Sequence, residues 1–321
     1  MLARPGTCAI LLTEAAFLTG AFGAQVNSVL EWEEQNVLKG LFRRLRGPQT
    51  FELPGYTPIG VIREGSMAVI YKAKDRETGR LVAIKIHKPN ARKAMDKLES
   101  AYRDFNEGQI TAALGHENVV KCFDHGELGS VQYLILEYLE GMTLGSLTAG
   151  DSKRLNGHRV NLVCQMAAGL AHVHTRRFIH HDFCPKNIFV TTDNKVKLID
   201  FGLATPIMNK PVVASRMGTT EILAPEKIRR EPSDHQVDIF AWGVVAYEVL
   251  SGHWPFESLE QHQTLNKVLN VQPMPLNKRA PGVPEEVCQL VMRCLEKDPS
   301  KRLTSMNIAV GVCERNCNVR I

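Results

Sequence analysis

The residues best suited to chemistry stand close together in the middle of the chain. Asp182 is followed by Asn187 five residues later, and Asp200 comes thirteen residues after Asn187. These side chains offer a candidate base and hard oxygen ligands, with no soft ligand among them. Such a set suits Mg²⁺ that is held together with the phosphates of a substrate. Residues 195–199 form a short apolar-alternating segment, which predicts a strand leading into Asp200.

A lysine upstream and a tripeptide downstream accompany this cluster. Lys85 ends a Val-Ala-Ile-Lys segment at 82–85, and Ala-Pro-Glu at 224–226 closes a segment that begins with Asp-Phe-Gly at 200–202. Taken singly, the lysine would be a solvated edge residue and each aspartate a loop cap. Their common order and spacing favours one shared site. A P-loop nucleotide site is excluded, because the chain contains no Gly-Lys dipeptide.

The elements that must position these residues fall into two groups. Residues 59–62, 69–73 and 81–86 are β-branched or apolar runs separated by turn signals, which predicts antiparallel strands. A helix with apolar positions from 95 to 110 follows, and then strands at 119–124 and 133–137. Beyond Gly141 the apolar spacing is helical, at 162–173, 239–250 and 287–295. The pattern predicts an α+β fold with a small antiparallel sheet lobe, a larger helical lobe and a ligand cleft between them.

Composition indicates an ordinary globular protein. The chain has 321 residues, of which 44% are hydrophobic, and a net charge of +5. This charge is too low for a protein that coats nucleic acid, so we expect no nucleic-acid partner. The eight cysteines form no regular framework. We expect free thiols in a reducing compartment, hence a cytoplasmic protein. A zinc site among the cysteines at 288–317 is a weaker alternative to buried structural thiols.

The first 55 residues are predicted to be an N-terminal extension. Residues 8–30 are apolar, but Glu14 lies within them, and a carboxylate at mid-bilayer costs about 3 kcal/mol on insertion scales. We therefore expect neither a membrane span nor a cleaved signal. Apolar positions between Val26 and Leu45 predict a helix that Gly47-Pro48 ends. This helix would dock on the main domain or contact a partner or membrane surface through its arginines.

With these motifs in place, the sequence resembles the eukaryotic-type protein kinase family over residues 56–313. The resemblance implies an N-lobe at 56–136, a hinge at 137–140, a C-lobe at 141–313 and a tail at 314–321. It implies an ATP- and Mg²⁺-dependent kinase acting on protein serine or threonine. The alternative is a pseudokinase that serves as a nucleotide-binding or scaffold module. A small-molecule kinase of similar bilobal fold is disfavoured by the full activation segment.

The resemblance also assigns roles to individual residues. Asp182 would orient the attacking hydroxyl and accept its proton, while Asn187 and Asp200 would hold the metal ions. Thr219 would bond Asp182, in the pattern of serine/threonine kinases. The residues implied at the nucleotide are Ile62, Gly65, Ile70, Ala83, Lys85, Glu107, Leu136, Glu137, Leu139 and Phe189. Glu226 and Arg302 resemble a buried structural ion pair, and Asp238 would anchor the catalytic loop.

Three departures from the family pattern lie in the active site. In the glycine-rich loop Arg63 and Ala68 replace two glycines and only Gly65 remains, so we expect weaker or slower nucleotide handling. Cys184 replaces a catalytic lysine, and Lys186 would supply the cation from the position where tyrosine kinases carry an arginine; a merely solvated Lys186 is the alternative. His181 stands where the family usually has an arginine that binds a phosphate on the activation loop. We therefore expect activity that does not depend strictly on phosphorylation of residues 205–220.

Overall fold

The computed structural model describes residues 53–88, 106–128, 131–150, 152–209, 219–258 and 260–318. The account below concerns the compact unit Pro54–Ile321. The predicted helix at 26–45 and the first part of the helix at 95–110 lie outside the described residues. Among the described residues, no helix is long and apolar enough to cross a bilayer.

The first lobe is built on an antiparallel sheet of five strands in the order β1-β2-β3-β5-β4. The turn between β2 and β3 follows from its sequence, because the carboxylate of Asp75 accepts hydrogen bonds from the backbone N–H groups of Glu77 and Thr78 and Gly79 adopts a φ of +70°. The strands are β1 (Tyr56–Glu64), β2 (Ala68–Asp75), β3 (Leu81–His87), β4 (Cys122–Leu128) and β5 (Val131–Glu137).

Strand β3 presents different residues to the two faces of the sheet. Val82, Ile84 and Ile86 are buried on one face. Ala83 and Lys85 alternate with them and point to the other face. Ala83 pairs directly with Leu136 of β5, so these two side chains lie side by side on the face that carries Lys85.

Helix α1 (Glu107–Ala113) brings Glu107 to this sheet. Asn106 caps the helix by accepting a hydrogen bond from the backbone N–H of Gln109, whose side chain in turn accepts from the Asn106 N–H. Gly108 packs close against the sheet. A Cβ added there would lie 2.6 Å from the Cβ of His125 on β4, so glycine is what lets the helix approach so closely.

The second lobe is mainly helical. Its central element is α5, which is buried along almost its whole length. Gly243 allows the close packing of α5 against α8, since a Cβ at this position would lie 2.8 Å from the Cβ of Cys294. The helices are α2 (Leu144–Gly150), α3 (Arg159–Thr175), α4 (Pro225–Arg229), α5 (Gln236–Ser251), α6 (Gln261–Asn270), α7 (Leu276–Arg279), α8 (Glu285–Cys294) and α9 (Met306–Asn316).

Short strands carry the segments that hold the candidate catalytic residues. They form two small antiparallel sheets, ordered β6-β8-β9 and β10-β7. A 3₁₀ turn at Pro185–Asn187 precedes β8, and another at Thr220–Ile222 precedes α4. The strands are β6 (Gly141–Thr143), β7 (Phe178–Ile179), β8 (Ile188–Thr191), β9 (Val196–Leu198) and β10 (Thr205–Pro206).

The predicted helices at 162–173, 239–250 and 287–295 correspond to α3, α5 and α8, the last of which ends one residue earlier. The strand predicted at 119–124 begins only at Cys122. Val119 and Val120 instead turn to the second lobe, where the N–H of Val120 donates to the carbonyl of Leu198 over 2.9 Å. Apolar β-branched residues favour extended backbone, but the pattern does not say which strand they pair with.

Candidate active site

The loop at 180–187 is hydrogen-bonded to Asp238 in the first turn of α5. Its carboxylate accepts hydrogen bonds from the backbone N–H groups of His180 and His181 at 2.7 and 2.9 Å. The Nε2 of His174 lies 2.9 Å from the same carboxylate. Burial would raise the pKa of Asp238, but the bond and charge of His174 outweigh it and the pKa lies well below its usual range. Asp238 is therefore an ionised anchor for this loop.

Asp182 is bonded on both carboxylate oxygens. Thr219 donates to Oδ1 twice, from its backbone N–H at 3.0 Å and from its hydroxyl at 2.9 Å. Asn187 donates from Nδ2 to Oδ2 at 2.7 Å, and to the Asp182 carbonyl at 3.0 Å. The carboxylate is thereby fixed in one orientation within the loop at 180–187.

The structure brings Lys186 next to Asp182. Its Nζ lies 3.8 Å from Asp182 Oδ2, and its side chain is 54% exposed. Cys184 is buried and does not reach the solvent side of the loop. Burial and the neighbouring Asp182 raise the pKa of the Cys184 thiol to about 11, so this group is neutral at pH 7 and supplies no charge.

Lys85 lies between two carboxylates. Its Nζ is 2.7 Å from Glu107 Oε1 and 2.9 Å from Asp200 Oδ1. Burial alone would lower the pKa of Lys85, but the two carboxylates outweigh it and raise the pKa. Burial would likewise raise the pKa of Asp200, yet Lys85 holds it at about 2. Lys85 and Asp200 are therefore both charged at neutral pH.

Asp200 combines a fixed position with an open face. It has a positive φ of +67°, and its Oδ1 also accepts from the N–H of Gly202 at 3.2 Å. Its side chain remains 48% exposed. Asn187 is buried and uses its nitrogen to hold Asp182. The oxygen donors of Asn187 and Asp200 are the kind of ligand that Mg²⁺ prefers in proteins.

Most of the residues expected at the nucleotide lie on the five-stranded sheet, and others lie after β5 or on β8. Ile70 pairs with Lys85, and Ala83 with Leu136, so these four side chains share one face of the sheet. Ile62 is half exposed at an irregularity in the β1–β2 register, and Gly65 closes the turn by donating to the Ala68 carbonyl at 2.9 Å. Leu139 follows β5, and Phe189 lies on β8.

Glu137 is tied to two other segments. Its Oε1 accepts from the backbone N–H of Lys121 at 2.8 Å and from Lys197 Nζ at 2.7 Å. Lys197 belongs to β9, which leads into Asp200. The contact therefore connects the start of the predicted hinge to the strand that positions the candidate metal ligand.

His181 does not behave as a replacement for a charged residue. Its Nε2 lies 2.8 Å from the hydroxyl of Thr205, and its Nδ1 is buried without a hydrogen-bond partner among the described residues. Burial, followed by the charge of Lys227, lowers the pKa of His181 to about 3. The imidazole is neutral at pH 7 and is a poor partner for a phosphate.

The ion pair between Glu226 and Arg302 is formed and buried. Arg302 donates from Nη1 and Nη2 to the two oxygens of Glu226 at 2.6 and 2.8 Å. This bidentate pair fixes the end of the segment that begins at Asp200 to the turn before α9. Of the cysteines in the described residues, all are free, and no cluster of three or more His, Cys, Asp or Glu side chains there is arranged to hold a metal ion.

Two residues at this site were not predicted from the sequence. His174 supports Asp238, and His87 lies 3.1 Å from Glu107 through its Nε2. For His87 a signal did exist, because it stands two residues after Lys85 and a strand places such residues on the same face. For His174 the contact depends on the packing of α3 against α5, which the linear pattern does not contain.

Comparison with known proteins agrees with this geometry. A family model described as "Protein kinase domain" matches residues 56–311. The chain is 31% identical over 249 residues to the serine/threonine-protein kinase PrkC of Bacillus subtilis. This match covers 77% of the chain and 38% of PrkC.

Further relatives carry similar names. The serine/threonine-protein kinase pkn2 of Myxococcus xanthus is 34% identical over 281 residues, covering 83% of this chain and 31% of the relative. PknB of Mycobacterium leprae, also a serine/threonine-protein kinase, is 30% identical over 246 residues. This match covers 74% of the chain and 39% of PknB. The chain thus spans about a third of the length of these curated relatives. Because the family model matches most of its length, the chain belongs to the protein kinase domain family.

Proposed function

We propose that this chain is an ATP- and Mg²⁺-dependent kinase that phosphorylates serine or threonine hydroxyls of proteins. The observation that carries the proposal is the double attachment of Asp182, with Thr219 on one oxygen and Asn187 on the other. Such an arrangement holds a base where a hydroxyl can donate its proton. The names of the relatives support the same reaction for this domain.

The residues present suit the nucleotide and metal that the family implies. Asp200 is ionised and half open to solvent, and Asn187 adds an amide oxygen beside Asp182. Both are hard donors, as Mg²⁺ requires. Bound Mg-ATP would supply the phosphoryl group, and Lys85, held by Glu107, would meet its α- and β-phosphates. The apolar face formed by Ile70, Ala83 and Leu136 would receive the adenine ring.

Catalysis by this chain would consist of positioning and charge stabilisation. Asp182 would orient the acceptor hydroxyl and take its proton as that oxygen bonds to the γ-phosphorus and ADP leaves. Lys186 lies on the exposed side of Asp182, where its ammonium group would offset negative charge on the transferring group. Thr219, which bonds Asp182 from the segment that ends at Glu226, favours a serine or threonine acceptor.

The surroundings of the protein are part of the proposal. The described cysteines are free thiols, which favours the cytoplasm, where ATP and a reducing environment are both present. We expect a protein substrate and no nucleic-acid partner. The role of the N-terminal helix, including a contact with a partner or a membrane surface, stays a prediction.

The test is transfer of labelled γ-phosphate from Mg-ATP to a generic protein substrate, compared with Asp182→Asn. We expect transfer to serine and threonine by the wild-type chain, and a loss of about 10³-fold or more in the variant. Nucleotide binding without any transfer would contradict the proposal and favour the pseudokinase. Failure on proteins together with rapid phosphorylation of an aminoglycoside or choline would favour a small-molecule kinase.

A further inference from the structure

Two residues of β3 reach the same carboxylate. Lys85 and His87 are two positions apart, and alternate residues of a strand point to the same face. Lys85 Nζ lies 2.7 Å from Glu107 Oε1, and His87 Nε2 lies 3.1 Å from Glu107 Oε2. Each oxygen of Glu107 therefore has its own neighbour on the strand.

The contact between His87 and Glu107 is shielded from water. The side chain of Glu107 is 4% exposed and that of His87 is 13% exposed. Neither His87 Nε2 nor Glu107 Oε2 has an aligned hydrogen bond to any group in the described part of the chain. His87 Nε2 and Glu107 Oε2, which lie 3.1 Å apart, are thus each other's polar neighbour. Without this contact, this buried carboxylate oxygen would have no polar partner among the described residues.

The contact between His87 and Glu107 matters because Lys85 has other partners. Lys85 is shared between Glu107 and Asp200, and the proposed function requires it to turn towards phosphates. An ammonium group that moves between partners does not by itself hold Glu107 in place. A second polar group, His87 Nε2 at 3.1 Å from the opposite oxygen, can restrain the carboxylate whichever way Lys85 turns.

We propose that His87 is a positioning residue that orients Glu107, and through it Lys85, for nucleotide phosphates. This inference rests on the proposed kinase function. It assigns His87 no contact with the nucleotide or the acceptor. The competing interpretation is that His87 merely fills space at the end of β3, where an apolar side chain of similar size would serve equally well.

The first test compares His87→Gln with His87→Leu in the full chain. The Gln amide can place a donor near the position of the imidazole Nε2, whereas Leu fills the space without a donor. We expect His87→Leu to lower kcat by about tenfold, because a slight misplacement of a positioning group costs much of the rate. We expect His87→Gln to retain kcat within about threefold. His262→Leu is a matched control, since His262 and Glu260 also lie 3.1 Å apart but are exposed.

A double-mutant cycle separates orientation of Glu107 from space filling. If His87 acts through Glu107, His87→Leu should lower kcat by less than about twofold when Glu107 is already changed to Gln. A loss that persists in full in the Glu107→Gln background would overturn the inference, as would wild-type kcat in His87→Leu. Should the Leu variant fail to fold, His87→Asn takes its place, because the shorter amide keeps polarity but does not reach Glu107.

A second readout needs neither nucleotide nor activity. Hydrogen exchange of the backbone N–H groups in α1 of the nucleotide-free protein reports how firmly the helix is held. We expect exchange about five- to tenfold faster in His87→Leu than in His87→Gln. Equal exchange in the two variants would refute the inference even if the chain transferred phosphate. Absence of transfer by the wild-type chain would instead contradict the proposed function and leave this comparison intact.

Discussion

Thr219 donates two hydrogen bonds to one oxygen of Asp182, from its backbone N–H at 3.0 Å and from its hydroxyl at 2.9 Å. These residues are 37 positions apart in sequence. The pair joins the loop at 180–187 to the segment that ends at Glu226. Its consequence is that the orientation of the proposed base depends on a residue outside its own loop.

Replacement of Thr219 should therefore reduce the rate without unfolding the protein. We expect Thr219→Val to lower kcat by about 10- to 100-fold, because the isosteric side chain lacks the donor that orients Asp182. Thr219→Ser keeps the hydroxyl and should stay within about fivefold of wild type. Steady-state kinetics with Mg-ATP and a protein substrate measure both. Equal rates in the Val and Ser variants would show that the hydroxyl is not needed.

The cation near Asp182 should be supplied by Lys186. We expect Lys186→Ala to lower kcat by about 100-fold, since charge on the transferring group would lose its compensation. Lys186→Arg should recover about a tenth of the wild-type rate or more, because the charge is kept. The side chain is 54% exposed, so thermal unfolding should be unchanged. Wild-type kcat in Lys186→Ala would support the alternative of a solvated lysine.

The position of α1 should depend on Gly108. A Cβ at 108 would lie 2.6 Å from the Cβ of His125, so Gly108→Ala must push the helix away from β4 and carry Glu107 away from Lys85. We expect a loss of stability of about 1–3 kcal/mol and a fall in kcat. His125→Gly removes the obstructing atom, and the double variant should regain activity relative to Gly108→Ala. No difference between the single and double variants would contradict this account.

Activity should not require phosphorylation of the segment after Asp200. The pKa of His181, lowered to about 3 by burial and Lys227, leaves the imidazole neutral at working pH, where it is a weak partner for a phosphate. We expect phosphatase-treated protein and the Ser215→Ala variant to have kcat within about twofold of the untreated wild type, because residue 181 is not charged and cannot form an ion pair with such a phosphate. Ser215 lies outside the described residues. A collapse to background on dephosphorylation would refute the prediction.

Stability should rise when Glu248 is made neutral. Burial in α5 raises the pKa of Glu248 from 4.5 to about 7, against a smaller opposite effect of a hydrogen bond with Thr148. Between these two values the folded chain holds a proton that the unfolded chain has released, so stability falls as pH rises. We expect Glu248→Gln to raise the free energy of unfolding by about 1–3 kcal/mol at pH 8.

The increase in unfolding free energy from Glu248→Gln should shrink as the pH falls and disappear below pH 4.5, where Glu248 becomes protonated in both states. Urea unfolding across this range measures it. Glu257→Gln is a suitable control, because Glu257 is exposed. A gain that is the same at pH 5 and pH 8 would mean that packing, not charge, is responsible.

Some contacts of the site could be expected from the sequence, and others could not. Asp182, Asn187 and Asp200 lie within one short stretch, so a linear motif already groups them. The bidentate pair of Glu226 with Arg302 was also anticipated, although it spans 76 positions, because both residues belong to motifs that resemble the family. His87 and His174 belong to no such motif. Their partners are decided by which strand and helix face them.

The amino-acid sequence by itself determined the strand-rich first part, the helical second part and the residue types at the site, since alternation, helical spacing and turn residues act locally. Only the tertiary structure decided which side chains share a carboxylate. It placed Lys186 at 3.8 Å from Asp182, turned Val119 and Val120 towards Leu198, and set His87 against Glu107. The physical reason is that burial and distance across elements set the strength of charge interactions, and neither is a property of neighbouring residues in the chain.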